Sequence, residues 1–298
     1  MSVPNRHHYL PEFYLRAWAV NGEVTEYSRQ RSGLDLQRRS PRATGFQMHL
    51  YSLPGEPDAE RREQIELNTM RQIDDAAAPV LCRMRDEPGA PLCQDQTDAW
   101  TIFVMSMLFR NPARLEWFDD QIRSTSHEFS EEDRAEYQHL RSASDPASPE
   151  DFFRQASGDN LSVARMQLML NLIGSQSIGR GLAEMSWSVL AIPHRNHGLL
   201  TCDDPVMTSN GMNRGDSFIL LPVGPEHMFV AANSDRALWS FTSQRPRDIE
   251  RAMNDAIVAQ ASKLVIGAHD RHSTFIDRRL GKSEPSSGYL GRHTWKCP

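Results

Sequence analysis

The sequence predicts an α+β fold: a helical middle region with a small antiparallel sheet built from N-terminal and C-terminal strands. Three observations carry this. Apolar residues recur at helical spacing through much of the stretch from 58 to 173. Short apolar runs separated by turn residues follow between Trp187 and Ala232. No regular alternation of strand and helix signals appears, as a parallel sheet with crossover helices would require.

Taken in order, PEFYLRAWA (11–19) reads as a short helix with Pro11 at its first position, where the missing N–H costs nothing. Asn21-Gly22 is a hairpin signal, with a strand after it. Residues 29–57 are Arg-rich and read as irregular, with one strand near His49–Leu53. One long helix is predicted from Asp58 to Met84, with Met70, Ile73, Ala77, Val80, Leu81 and Met84 on its apolar stripe. Pro79 predicts a kink near Asp75. Glu66 falls on the same stripe, where a buried carboxylate needs a partner.

A second helix begins near Thr97 and is apolar almost all round, which marks it as central. Pro112 predicts a kink or break close to Arg110. An amphipathic stretch continues to about Ile122. Residues 124–151 read as a surface helix followed by a loop, and Ser162–Ile173 as a helix that the following glycines weaken. SWSVLAIP, GLLTC, SFILLPV and HMFVAA are the antiparallel strands. A last helix starts at Pro246, with Ile249, Met253, Ile257, Ala261 and Leu264 at helical spacing. Residues 1–280 are read as one domain and 281–298 as a polar, poorly ordered tail.

Composition narrows the function classes. The 298 residues are 39% apolar, enough to bury a substantial core. Net charge is −6, so no global basic field attracts nucleic acid, although a local basic patch is not excluded. The four cysteines, at 82, 93, 202 and 297, fit no zinc spacing and read as thiols in a reducing cytoplasm. The start MSVPNRHHY lacks the apolar core of a signal peptide, and the longest apolar run is too short to span a bilayer. The expected location is therefore cytoplasmic, with no membrane partner.

Several landmarks together resemble one family. His7-His8-Tyr9-Leu10-Pro11-Glu12-Phe13-Tyr14-Leu15-Arg16 is similar to the opening motif of the bacterial domain of unknown function 4238 family. Ile65-Glu66 and Ile73-Asp74 resemble its paired Ile-Glu pattern, with Asp in place of the second Glu. Phe109-Arg110-Asn111-Pro112, Trp187, Thr201-Cys202-Asp203-Asp204-Pro205-Val206, Leu221-Pro222-Val223-Gly224-Pro225 and Asn254 with Ala261 and Val265 continue the likeness. Asp204 stands where the family has Asn. The resemblance implies no established activity.

The candidate site residues are polar members of these motifs. His8, which matches the family, can move protons or ligate a metal; the bland alternative is a histidine that anchors the N-terminal turn. Asp203 and Asp204 follow a strand and can bind Mg²⁺ or Mn²⁺ or act as a base, although Asp and Pro also favour plain turns. Glu66 can complete a His8/Glu66/Asp203 metal set, or pair with an arginine of the next helix. Arg110 and Arg114 can hold an anionic substrate if they share a helix face; Arg110 can instead neutralise Glu66 or Asp203. His194/His197 and His269/His272 read as surface loops. The expected function is a divalent-metal-dependent hydrolase such as a phosphodiesterase or nuclease, with His8, Asp203 and Asp204 catalytic. The alternative is a non-catalytic ligand- or partner-binding protein in bacterial defence or stress signalling.

Overall fold

A computed structural model describes residues 5–125, 130–142, 146–193, 198–209 and 214–281. Its strands, in chain order, are β1 (Arg6–His8), β2 (Val24–Gln30), β3 (Gly33–Arg39), β4 (Phe46–Met48), β5 (Ser186–Ala191), β6 (Thr201–Cys202), β7 (Met207–Thr208), β8 (Phe218–Gly224), β9 (His227–Ala232) and β10 (Leu264–Gly267). They form three sheets: β1 with β4, a four-stranded sheet in the order β3-β2-β10-β6, and a second in the order β5-β9-β8-β7. All pairings are antiparallel, and the helices lie mainly between β4 and β5, so the fold is α+β. Among the described residues no helix is long and apolar enough to cross a membrane.

The continuous apolar runs of β8 and β9 have a simple cause. Both faces of their sheet are covered, so both sets of alternating side chains are buried. Ile219, Leu221, Val223, Phe229 and Ala231 face one core, shared with the N-terminal motif and the helix Gln94–Phe109. Phe218, Leu220, Met228, Val230 and Ala232 face a second core, shared with the helix Pro246–Gln260.

The N-terminal motif packs against distant landmarks, as its aromatic content predicts. Tyr14, Leu15 and Trp18 are fully buried and Phe13 is half-buried against Phe103. The Tyr14 hydroxyl donates to the Pro222 carbonyl (2.8 Å) and shares a hydrogen bond with Thr201 Oγ1 (2.8 Å). Trp18 Nε1 donates to the Leu199 carbonyl at 2.7 Å. Asn21 and Gly22 both have positive φ, 54° and 81°, and form the two-residue turn their types favour.

Several local expectations are corrected. The Arg-rich stretch holds the β2–β3 hairpin, and its next strand is β4, not His49–Leu53; His49 sits in a turn at φ 55°. Pairing with β1, which is remote in sequence, fixes that position. The single helix from Asp58 to Met84 is instead Ala59–Arg62, a π-helical segment Ile65–Met70, and Arg71–Asp86. Its irregularity falls at the π turn, and Pro79 lies inside the last piece. The break at Arg110 is present, with Pro112 opening the next helix, Pro112–Thr125.

The helix expected from Ser162 starts at Pro149, where Ser148 accepts the Asp151 N–H as a cap. A helix Asp235–Thr242 was not anticipated. The last long helix ends at Gln260, and Leu264 opens β10 rather than continuing the helix. His272 is buried, not on a surface loop; His194, His197 and the tail from 282 lie outside the described residues.

Candidate functional site

A cleft of about 780 Å³ opens between β1 and the helical segments around Glu66 and Asp74. Strand alternation explains what β1 offers it. Arg6 and His8 share one face and line the cleft, while His7 points the other way and is fully buried. The strand period is the signal that separates the two histidines, and it also adds Arg6, which the motif reading missed. Arg42 joins from the turn before β4, and Glu12, Phe13 and Arg16 from the first helix.

Glu66 and Asp74 reach the cleft from the other wall. Glu66 lies in the π segment and, like Ile73, is half-buried. Glu66 Oε2 is buried without a hydrogen-bond partner among the described residues. Burial, with Asp74 and Glu63 nearby, raises the Glu66 pKa from 4.5 to about 7; Arg110 and the His8 main-chain N–H oppose the shift. Asp74 is also pushed up by burial, against the pull of Arg110.

Arg110 lies behind this wall. Its side chain is fully buried, and Nη1 donates to Asp74 Oδ1 at 2.8 Å while Nη2 faces the Met107 sulfur at 3.0 Å. Its partner is thus Asp74, neither Glu66 nor Asp203. The Tyr51 hydroxyl donates to the Arg110 carbonyl at 2.8 Å.

His8 Nε2 donates to the Arg42 carbonyl at 3.3 Å, and burial lowers the ring's pKa. The ring is then neutral near pH 7, with Nδ1 as its basic atom. His7 is held differently. Its Nδ1 accepts the Tyr51 N–H (2.9 Å), so Nε2 carries the hydrogen and faces Glu63 Oε2 at 3.0 Å. Ser52 Oγ donates to the same carboxylate at 2.5 Å, and His49 Nδ1 lies 3.2 Å from its other oxygen. This cluster ties the 49–53 turn to the helical wall.

Asp203 and Asp204 lie outside the set of cleft-lining residues. The Asp203 carboxylate accepts the Ser262 N–H (2.9 Å) and the Lys263 N–H (2.6 Å), closing the turn into β10. Burial raises its pKa to about 6 despite those donors. Asp204 Oδ1 accepts from Asn111 Nδ2 at 3.2 Å, and its carbonyl accepts from Gln260 Nε2 at 2.5 Å. Arg114 does not share a face with Arg110, because the helix breaks between them. Its backbone N–H donates to Asn111 Oδ1 and its guanidinium lies 6.0 Å from the Trp117 ring centre.

Among the described residues, no three His, Cys, Asp or Glu side chains are grouped to hold a metal ion, so His8, Glu66 and Asp203 do not form such a set. Cys82 and Cys93 are exposed, and the buried Cys202 thiol donates to the Asp204 carbonyl.

Fold and cleft together define an α+β protein with a half-buried acid and a neutral imidazole in an arginine-rimmed groove. The chain matches the family model described as Protein of unknown function (DUF4238) over residues 6–271 and belongs to that family. No curated protein and no solved structure matches it. Landmarks of the resemblance bond to one another, Tyr14 to Thr201 and Pro222 and Asn111 to Asp204, and Asn254 bonds to the main chain of Gly198 and Leu200 just before Thr201.

Proposed function

We propose that the protein is a hydrolase of phosphate esters and that the cleft beside His8 is its active site. The observation that carries this reading is the pairing of Glu66, raised to about 7, with a neutral His8 in one arginine-lined groove. Near pH 7 the first can give a proton and the second can take one, the condition for general acid–base catalysis. Water attacks phosphorus and loses a proton to His8 Nδ1. The ester P–O bond breaks, and the leaving oxygen takes the proton of Glu66. The products are an alcohol and a phosphate, and the cleft's arginines hold the charge that develops.

The phosphodiesterase or nuclease expected from the sequence is the diester branch of this reading. The metal dependence expected with it has no gathered ligand set among the described residues, so Mg²⁺ or Mn²⁺ enters as a variable of the test. Asp203, Asp204 and Arg110 are assigned to holding the fold, and Arg114 to the first turn of the helix that Pro112 opens.

No Ser, Thr or Cys lies among the described cleft-lining residues, so a covalent intermediate on a hydroxyl or thiol has no candidate there. The arginines that line the cleft support a second reading, an anion-binding protein without turnover.

The test uses p-nitrophenyl phosphate and bis-p-nitrophenyl phosphate, each with Mn²⁺, with Mg²⁺ and with chelator. Glu66→Gln and His8→Ala should each lower turnover about 10²–10⁴-fold while the protein stays folded. Absence of turnover of both esters under all three conditions, or unchanged rates in both variants, refutes the hydrolase reading.

A further inference from the structure

The cleft's charges sort themselves by partner. Arg16 pairs with Glu12 at 2.7 Å, Arg71 with Asp75 at 3.7 Å, and Asp74 with the buried Arg110 at 2.8 Å. Two guanidiniums remain on the rim, Arg6 and Arg42, with no carboxylate partner among the described residues; Arg6 lies 5.0 Å from the Phe46 ring centre. Glu66 lines the same cleft, and its buried Oε2 has no hydrogen-bond partner among the described residues. With Glu66 protonated the groove carries two uncompensated positive charges, and with Glu66 ionised only one.

We infer that the reacting group seated in this cleft is a terminal phosphate bearing two negative charges, with Arg6 and Arg42 as its counter-charges. This rests on the hydrolase reading and deepens it, because it selects the monoester over the diester branch. A monoester is largely dianionic near neutral pH, whereas a diester carries one charge. A dianion matches the two unpaired guanidiniums, and arginine suits phosphate through paired N–H donors. A protonated Glu66 adds a donor; an ionised one repels the ligand. Glu66 itself is faced by Asp74 on the adjoining helix, Arg110 behind it, Glu63 on its own segment and the His8 main chain on β1. The first and third of the charged groups favour its protonated form, and Arg110 opposes them.

The experiment measures binding to the full chain by calorimetry, at constant ionic strength, with two probes of fixed charge. Sulfate is a dianion and dimethyl phosphate a monoanion across the range used. Sulfate should bind at least about tenfold more tightly, the scale of one charge-assisted hydrogen bond. Arg6→Gln with Arg42→Gln, both on the exposed rim, should remove that preference. Between pH 6.5 and 8.5, a span set by the titration of Glu66 near 7, sulfate affinity should fall in the native protein and stay level in Glu66→Gln. Equal affinity for the two probes, no sulfate binding, or a preference that survives the double substitution overturns the inference. Its failure is distinguishable from failure of the hydrolase reading. Dianion preference without turnover of either ester sinks the hydrolase and leaves the cleft a dianion-binding site without chemistry; diester turnover without dianion preference keeps the hydrolase and sinks the inference.

Discussion

Replacing Glu66 with Gln should stabilise the protein at alkaline pH and leave it nearly unchanged at acid pH. The carboxyl moves from its ordinary 4.5 to about 7 on folding. At about 1.36 kcal/mol per pKa unit, the ionised form is disfavoured in the folded state by about 3 kcal/mol. The sign follows from proton binding. Between pH 4.5 and 7 the folded chain keeps a proton that the unfolded chain has lost, so stability falls as pH rises through that window. Gln has the shape of the protonated acid and does not titrate. Urea denaturation of both proteins at pH 4 and pH 8.5, on either side of the 4.5–7 window, isolates the effect, because other titrating groups are common to the two. Gln should gain about 2–3 kcal/mol on the native protein at the higher pH and less than about 0.5 kcal/mol at the lower. A difference that does not change with pH refutes the raised pKa, and with it Glu66 as a proton donor at neutral pH.

Two further substitutions separate fold from chemistry. Arg110→Met should cost about 3 kcal/mol, because it leaves Asp74 without its cation; the 21% exposure of the Asp74 side chain keeps the loss at the low end of buried pairs. Adding Asp74→Asn should restore part of that stability in denaturant melts, and a purely additive pair would show that the two do not interact. Asp203→Asn should cost about 1–3 kcal/mol at pH 5, since its amide NH₂ meets a main-chain N–H that now finds a carboxyl oxygen, and less at pH 7.5, where the carboxyl it replaces, raised to about 6, is ionised and disfavoured by burial. Turnover per folded molecule should not change; a stable variant that is inactive would return Asp203 to the reaction.

What the sequence determined by itself is what local chemistry controls. Pro112 ended one helix and opened the next, Asn21-Gly22 made its turn, and the apolar runs of β8 and β9 became buried strands. The aromatic content of the N-terminal motif placed it in the core, and the order of the motifs gave the family. Tertiary structure decided everything that depends on which distant residues meet. β1 is three residues long, and only its pairing with β4 makes it a strand, which sends His7 inward and His8 with Arg6 to the cleft. Arg110 meets Asp74 only where two helices pack, and Glu66 sits in a π segment that no apolar period announces. Asp203 carries the look of a catalytic carboxylate in sequence, yet two main-chain N–H groups from a turn about sixty residues away occupy it. A motif identifies which polar groups the core must accommodate; the contacts that satisfy them, or leave one such as Glu66 unsatisfied, exist only once the chain has folded.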